Sequence, residues 1–395
     1  MPSTDAIRLL SGYSGYSGYS GYSGYSGYSG YGGPDPGPTV AALLSNRDGI
    51  SGHWKGATSK PDDLTFGSPD NLALWGTKER AELFAFELAS TIGFGVTPGS
   101  QSARHAYVCQ IKPAFTSEGV PAPSTCNILV KFTRPGREQF VEQLDFVNNY
   151  AELRADRGPE IMAQLGVPGA FFGSIAGWLQ PDRSPRTWEL ILTALRLAYY
   201  VVMRVKHSLA CRRPHEYSPQ IQPMIPVPLH GALPSGHATE AFIFAYVLWA
   251  LLKASDKDDS EDKRDRTVYE NRIWGEQLMR QAARIAINRQ IAGVHYPVDS
   301  VAGTVLGLTL GRYLVAMCQS GPYASWAFDG MNFAGDFDWR ALFDLDTGQK
   351  EAKTEGPNPK TYVAPIAQYS IEAGDKSAAL AWLWTRAKAE WVQPA

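Results

Sequence analysis

The sequence predicts a mainly α-helical protein with one small β-hairpin in its N-terminal half. Three observations lead there. Long segments between residues 185 and 318 carry apolar residues at helical spacing. Only two short runs, AYVCQIK and NILVKF, read as strands, and a Pro-rich loop separates them as a hairpin would. The composition, 44% apolar and 19% charged over 395 residues, is that of a folded chain long enough to bury a large core.

Taken in order, residues 11–31 are seven tandem Ser-Gly-Tyr units, followed by a Gly- and Pro-rich stretch to residue 38. Residues 1–38 are therefore expected to form a disordered low-complexity arm whose evenly spaced tyrosines can stack on one another or on a partner. Residues 39–395 are expected to form a single, mostly helical domain. Lys78–Ser90, Arg137–Ala155 and Pro159–Leu165 have helical periodicity. Ser184 and Pro185 form a helix start, with Ser as N-cap and Pro at the first position of a helix running through Trp188–His207. Ala238–Lys253 is apolar all round, which marks a buried helix. Lys253–Arg266 carries 11 charged residues in 14 and reads as a solvated loop. Arg272–Ile287 and Pro297–Cys318 are further helices, and the last 75 residues are expected to be irregular apart from a terminal helix, Lys376–Trp391.

Charge and targeting signals exclude several classes. Lys and Arg total 37 against 39 Asp and Glu, so the broad basic excess of a nucleic-acid binder is absent and any anion site must be local. The longest apolar run, Ala241–Leu252, stops after 12 residues at Lys253, short of the roughly 18 that span a bilayer, so no membrane span is expected. The first ten residues lack the features of a secretory signal, which makes a cytoplasmic location the expectation. Cys109, Cys126, Cys211 and Cys318 have no CxxC spacing. They read as free buried thiols rather than zinc ligands, with a Cys109–Cys126 disulfide left open.

Three segments concentrate groups suited to a tetrahedral oxyanion. Lys206 and Arg213 lie seven residues apart at a helix end, and Pro214 follows. They pair a compact ammonium with a planar fork that can meet two oxygens of one anion. Pro234-Ser235-Gly236-His237 opens the buried helix, where a hydroxyl and backbone N–H groups sit at the positive end of the helix dipole. Arg289, His295 and Asp299 form the third segment. Asp299, four residues after His295, can accept a ring N–H and set its tautomer.

Together these segments resemble the K-x6-RP, PSGH and SR-x5-H-x3-D signature of the superfamily of acid phosphatases, type 2 phosphatidic acid phosphatases and vanadium-dependent haloperoxidases. Lys206, Arg213, Pro214, Pro234 to His237, Arg289, His295 and Asp299 match, and Asn288 stands where the pattern has Ser. The resemblance covers about residues 185–318 and implies a helical bundle whose core holds vanadate or phosphate. It implies that Lys206, Arg213, Ser235, Gly236 and Arg289 hold the anion, while His237, His295 and Asp299 are catalytic. In the phosphatase branch His295 is the nucleophile on a phosphate monoester and His237 the acid and base. In the haloperoxidase branch His295 ligates vanadium, and hydrogen peroxide oxidises a halide. His230, seven residues before His237, sits where bromoperoxidases of the superfamily have a second histidine beside the cofactor.

The long N-terminal extension and His230 favour the haloperoxidase reading, with bromide or iodide as halide. A soluble phosphomonoesterase is the alternative. A third reading, from a different class, makes the chain structural, self-associating through the Ser-Gly-Tyr arm.

Overall fold

The computed structural model describes residues 42–391 except 44, 48, 58, 60, 62, 98–103, 116–117, 257–267 and 270. The Ser-Gly-Tyr arm and most of the charged run thus lie outside the described residues. The helices are α1 (Thr77–Ala89), α2 (Arg137–Glu142), α3 (Leu144–Tyr150), α4 (Arg154–Ala163), α5 (Gly169–Gly173), α6 (Pro185–Leu209), α7 (Pro214–Tyr217), α8 (Gly236–Ser255), α9 (Arg272–Ile291), α10 (Pro297–Gln319) and α11 (Ala378–Ala389). The strands are β1 (Ile92–Thr97), β2 (His105–Phe115), β3 (Pro121–Thr133), β4 (Gly321–Asp329), β5 (Phe343–Asp344), β6 (Gly348–Gln349), β7 (Ala352–Lys353) and β8 (Thr361–Ile371).

The expectation of a mainly α fold with one hairpin is overturned. β2 and β3 do form the expected antiparallel hairpin, but it lies inside a six-stranded mixed sheet of order β1-β2-β3-β4-β8-β7, and β5 and β6 make a second small sheet. The class is α/β. Of the missing strands, β1 precedes the hairpin and the others come from the C-terminal stretch expected to be irregular. β8 contains Pro365, a residue that ordinarily argues against a strand. Here it falls where the β4–β8 register shifts at Ser325/Trp326, so the missing N–H is tolerated. β4 pairs in parallel with β3, Val130 facing Trp326, a partnership far too distant in sequence for local pattern to reveal.

The long helices lie close to their expected limits because their signals are local. Pro185 and Pro297 occupy first-turn positions, where their missing N–H is harmless. Ser184 does not cap α6 through its side chain; its hydroxyl turns back to the carbonyls of Trp178 and Gln180. The segment Arg137–Ala155 breaks into α2, α3 and a 3-10 turn rather than one helix. At the break, buried Gln143 accepts from the Val298 N–H at the start of α10.

α8 and α10 both pass a length-and-composition test for crossing a membrane, yet 72% and 89% of their apolar windows are buried inside the fold. The two helices touch backbone to backbone. A Cβ on Gly303 would lie 2.6 Å from the Ser235 carbonyl oxygen and 2.8 Å from the Ala238 Cβ, and one on Gly307 would lie 2.5 Å from the Thr239 carbonyl oxygen. Glycine at these places lets the start of α10 meet the start of α8. The sheet packs against α6 and α10, and the apolar core runs through all of them. A separate small cluster, Ile161, Ile225, Ile291, Ala292 and Val294, seats α4 over the C-terminal end of α9. Each fully buried isoleucine there contributes on the order of 2 kcal/mol.

Candidate oxyanion-binding site

Every side chain predicted to hold or transform an oxyanion is brought to one buried place. Lys206, Arg213, Ser235, His237, Arg289, His295 and Asp299 are all at most 3% exposed. Their assembly follows from where helices begin and end.

α6 stops at Leu209, and Ala210 takes a left-handed conformation that turns the chain away from the helix axis. Lys206 and Arg213 are therefore not two turns apart on one helix face, as their spacing suggested. They converge by gripping the same loop. Lys206 Nζ donates to the carbonyls of Gly231 (2.8 Å) and Ala232 (2.7 Å). Arg213 donates through Nε to the His230 carbonyl (2.9 Å) and through Nη1 to the Val294 carbonyl (2.7 Å). Glu216 accepts the Arg213 backbone N–H at 2.7 Å, which fixes the turn. Burial, then the Arg213 charge, holds Lys206 well below the ordinary lysine range. An anion among these cations reverses that repulsion.

His230 also joins the site. Its Nδ1 lies 3.2 Å from both Arg213 Nη2, which can only donate to it, and the Gly231 carbonyl oxygen, which can only accept from it, so each ring tautomer keeps one of the two bonds. Burial, then Lys206 and Arg213, lower its pKa to about 4, so the ring is neutral near pH 7.

Ser235 is the N-cap of α8, its hydroxyl accepting from the Ala238 N–H at 3.4 Å. Gly236 opens the helix, placing its N–H at the positive dipole end. The Ser235 N–H donates to the Asp299 carbonyl at 2.9 Å, tying the second segment to the third through the α8–α10 contact. His237 donates from Nε2 to the Gln164 carbonyl at 2.9 Å. Burial, then Arg289, hold it well below the ordinary histidine range.

His295 Nδ1 lies 2.9 Å from Asp299 Oδ2, which also accepts the Tyr296 N–H at 3.0 Å. His295 Nε2 is buried with no hydrogen-bond partner among the described residues. Burial pushes Asp299 up to about 7, while Lys206 and Arg213 pull it back. Burial, then Arg213, Lys206 and His237, depress His295. Burial thus works against the charged form of both partners of this pair.

Arg289 donates from Nη2 to the Ile161 carbonyl (3.2 Å) and to Gln164 Oε1 (3.1 Å). Asn288, where the sequence pattern has Ser, points instead at α4. Its Nδ2 donates to Glu160 Oε1 and Gln164 Oε1, both at 2.9 Å, and its Oδ1 accepts from Arg157 at 3.2 Å. The substitution thus acts on how α4 is held.

Sequence reading missed Gln164 and Glu160. Both lie in a segment legible only as a helix, and no motif marks them. It also missed Glu240, one turn into α8, whose carboxyl burial pushes up to about 7 against the pull of Lys206. Among the described residues no group of three or more His, Cys, Asp or Glu side chains could hold a metal cation. Clustered cations, N–H donors and a bare imidazole nitrogen fit an oxyanion such as vanadate or phosphate.

No curated protein matches the chain. A family model described as the PAP2 superfamily, which covers vanadium haloperoxidases and type 2 phosphatases, matches residues 188–320. That stretch contains Lys206, Arg213, His230, Ser235 to His237, Arg289, His295 and Asp299, so the site-bearing part of the chain is similar to the PAP2 superfamily.

Proposed function

We propose that the chain is a haloperoxidase-type enzyme that holds vanadate and uses hydrogen peroxide to oxidise bromide or iodide. The PAP2 superfamily match over the site residues supports the coarser statement, a phosphatase or haloperoxidase-like function at a phosphoester-binding site. The observation that carries the finer reading is enclosure. The site lies beneath α4, with Ile161 and Gln164 of that segment bonded to Arg289 and His237. A site roofed this closely suits a small inorganic oxyanion and small co-substrates better than an ester with a bulky leaving group.

Lys206, Arg213 and Arg289 would neutralise the oxyanion, with the Ser235 hydroxyl and Gly236 N–H adding hydrogen bonds. His295 Nε2, its lone pair aimed by the Asp299 bond at Nδ1, would be the protein ligand. When bound, vanadate supplies a Lewis-acidic centre that activates peroxide toward halide. His237 donates from Nε2 to a carbonyl, so Nδ1 would be the nitrogen that takes or returns a proton in the site. Neutral His230 beside Arg213 lines the approach for halide.

One observation favours the phosphomonoesterase alternative. A buried histidine nitrogen with a carboxylate behind it is equally the arrangement of a nucleophile that takes a phosphoryl group, with His237 protonating the leaving oxygen. Peroxide-dependent bromination of a dye after vanadate reconstitution separates the two. Bromination is expected. No turnover, with rapid hydrolysis of p-nitrophenyl phosphate that vanadate inhibits, overturns the haloperoxidase reading and establishes the other.

A further inference from the structure

We propose that Gln164 is a positioning residue of the oxyanion site, aligning Arg289 through its carboxamide and fixing the tautomer of His237 through its carbonyl. The proposal rests on the oxyanion reading of the site but is indifferent to which reaction follows.

The argument begins at the end of α4. The last four carbonyls of a helix have no partner within it and need donors from elsewhere. α4 ends at Ala163 with Gln164 as its C-cap, and the carbonyls of Ile161 and Gln164 belong to that orphan set. Their donors are Arg289 Nη2 and His237 Nε2. The negative end of the helix is thus aimed at one cation and one imidazole of the site.

The Gln164 side chain, fully buried, adds three bonds. Its Oε1 accepts from Arg289 Nη2 (3.1 Å) and Asn288 Nδ2 (2.9 Å), and its Nε2 donates to Glu160 Oε1 (3.1 Å). Glu160 is in turn held by Arg284, with Nε to Oε1 at 2.8 Å and Nη2 to Oε2 at 2.7 Å. Gln164 therefore cannot rotate without breaking the chain that anchors α4 to α9, and one face of Arg289 is held wherever Gln164 is held. A carbonyl only accepts, so the bond from His237 puts the proton on Nε2 and leaves Nδ1 as the nitrogen that exchanges protons. Gln164 carries no charge and so orients Arg289 without neutralising it, which a carboxylate in its place would do.

Binding of inorganic vanadate and of inorganic phosphate to the full chain, measured by calorimetry beside thermal melts, tests the proposal. Gln164→Met keeps the volume but removes the side-chain acceptor of Arg289 while leaving the Ile161 carbonyl, and Kd for both anions is expected to rise roughly tenfold. Arg284→Met loosens α4 from its exposed side and leaves the bonds of Gln164 in place. It is expected to lower Tm while leaving both Kd values within about twofold of wild type. Equal weakening of anion binding by the two variants would make the effect one of roof attachment and overturns the positioning role. So does wild-type affinity in Gln164→Met. A wild-type chain that binds neither anion overturns the oxyanion reading itself, and the proposal with it. Nitrogen-15 NMR of the wild-type imidazoles needs no variant: His237 protonated at Nε2 is expected, and a neutral Nδ1–H tautomer sinks the proposal.

Discussion

Asp299 Oδ2 sits 2.9 Å from Nδ1 of His295, and neither side chain is exposed to solvent. The same oxygen takes the Tyr296 N–H, so the carboxylate is fixed by the backbone before it fixes the ring. Asp299→Asn keeps the shape but weakens the acceptor and can present an NH2 group to Nδ1, favouring the wrong tautomer. Turnover in whichever assay the wild type supports is expected to fall about 10- to 100-fold. Activity within twofold of wild type would remove Asp299 from the orienting role.

The three cations should matter to anion binding individually. Lys206→Ala, Arg213→Ala and Arg289→Ala are each expected to weaken vanadate binding by about 1.5 to 3 kcal/mol, the scale of a charge-assisted hydrogen bond. Lys206→Ala also strips the Gly231 and Ala232 carbonyls of their donor and should lower Tm. Calorimetry giving unchanged affinity in all three would refute the site.

Gly303→Ala probes the contact that joins two parts of the site. The new methyl meets the Ser235 carbonyl oxygen, a backbone atom that cannot swing aside, so α8 and α10 must part. A loss of about 1 to 3 kcal/mol in stability is expected. Anion affinity should fall with it, because the Ser235–Asp299 backbone bond crosses the same contact. Denaturant unfolding and calorimetry on one preparation check both.

Stability should decline as pH falls from 6.5 toward 4.5. His237 and His295 are held well below 6.5 and His230 near 4, so the unfolded chain binds protons there that the folded chain refuses. Asp299 and Glu240, both raised to about 7, act oppositely, since the folded chain protonates them before the unfolded chain does. The imidazoles outnumber these carboxyls by one, and His230 is only partly buried. The slope is therefore at most about 1.4 kcal/mol per pH unit. Urea midpoints at pH 7, 6 and 5 that rise on acidification would contradict it.

What could be read in the sequence was whatever is written locally. Prolines at helix starts, apolar periodicity and motif spacing located α6, α8, α9 and α10 and the residues they carry into the site. Pairing between remote strands leaves no such trace, and β8 even carries a proline that disguises it. The roof was illegible for the same reason. Gln164 does its bonding across more than a hundred residues to Arg289 and Asn288, and nothing in its own neighbourhood announces it. Asn288 stood out as a departure from a pattern, yet only its bonds to α4 show what the departure serves.

The parallel pairing of β3 with β4 places the whole motif-bearing stretch between two neighbouring strands of one sheet. The stretch that matches the family is thus a loop of the sheet as much as a core of its own. During synthesis β3 must wait, its edge unpaired, until every site residue has been made and β4 emerges. β8 comes later still, and α11 packs on α6 last. A fragment trimmed to residues 188–320 would lack both the roof and the sheet that hold the oxyanion site.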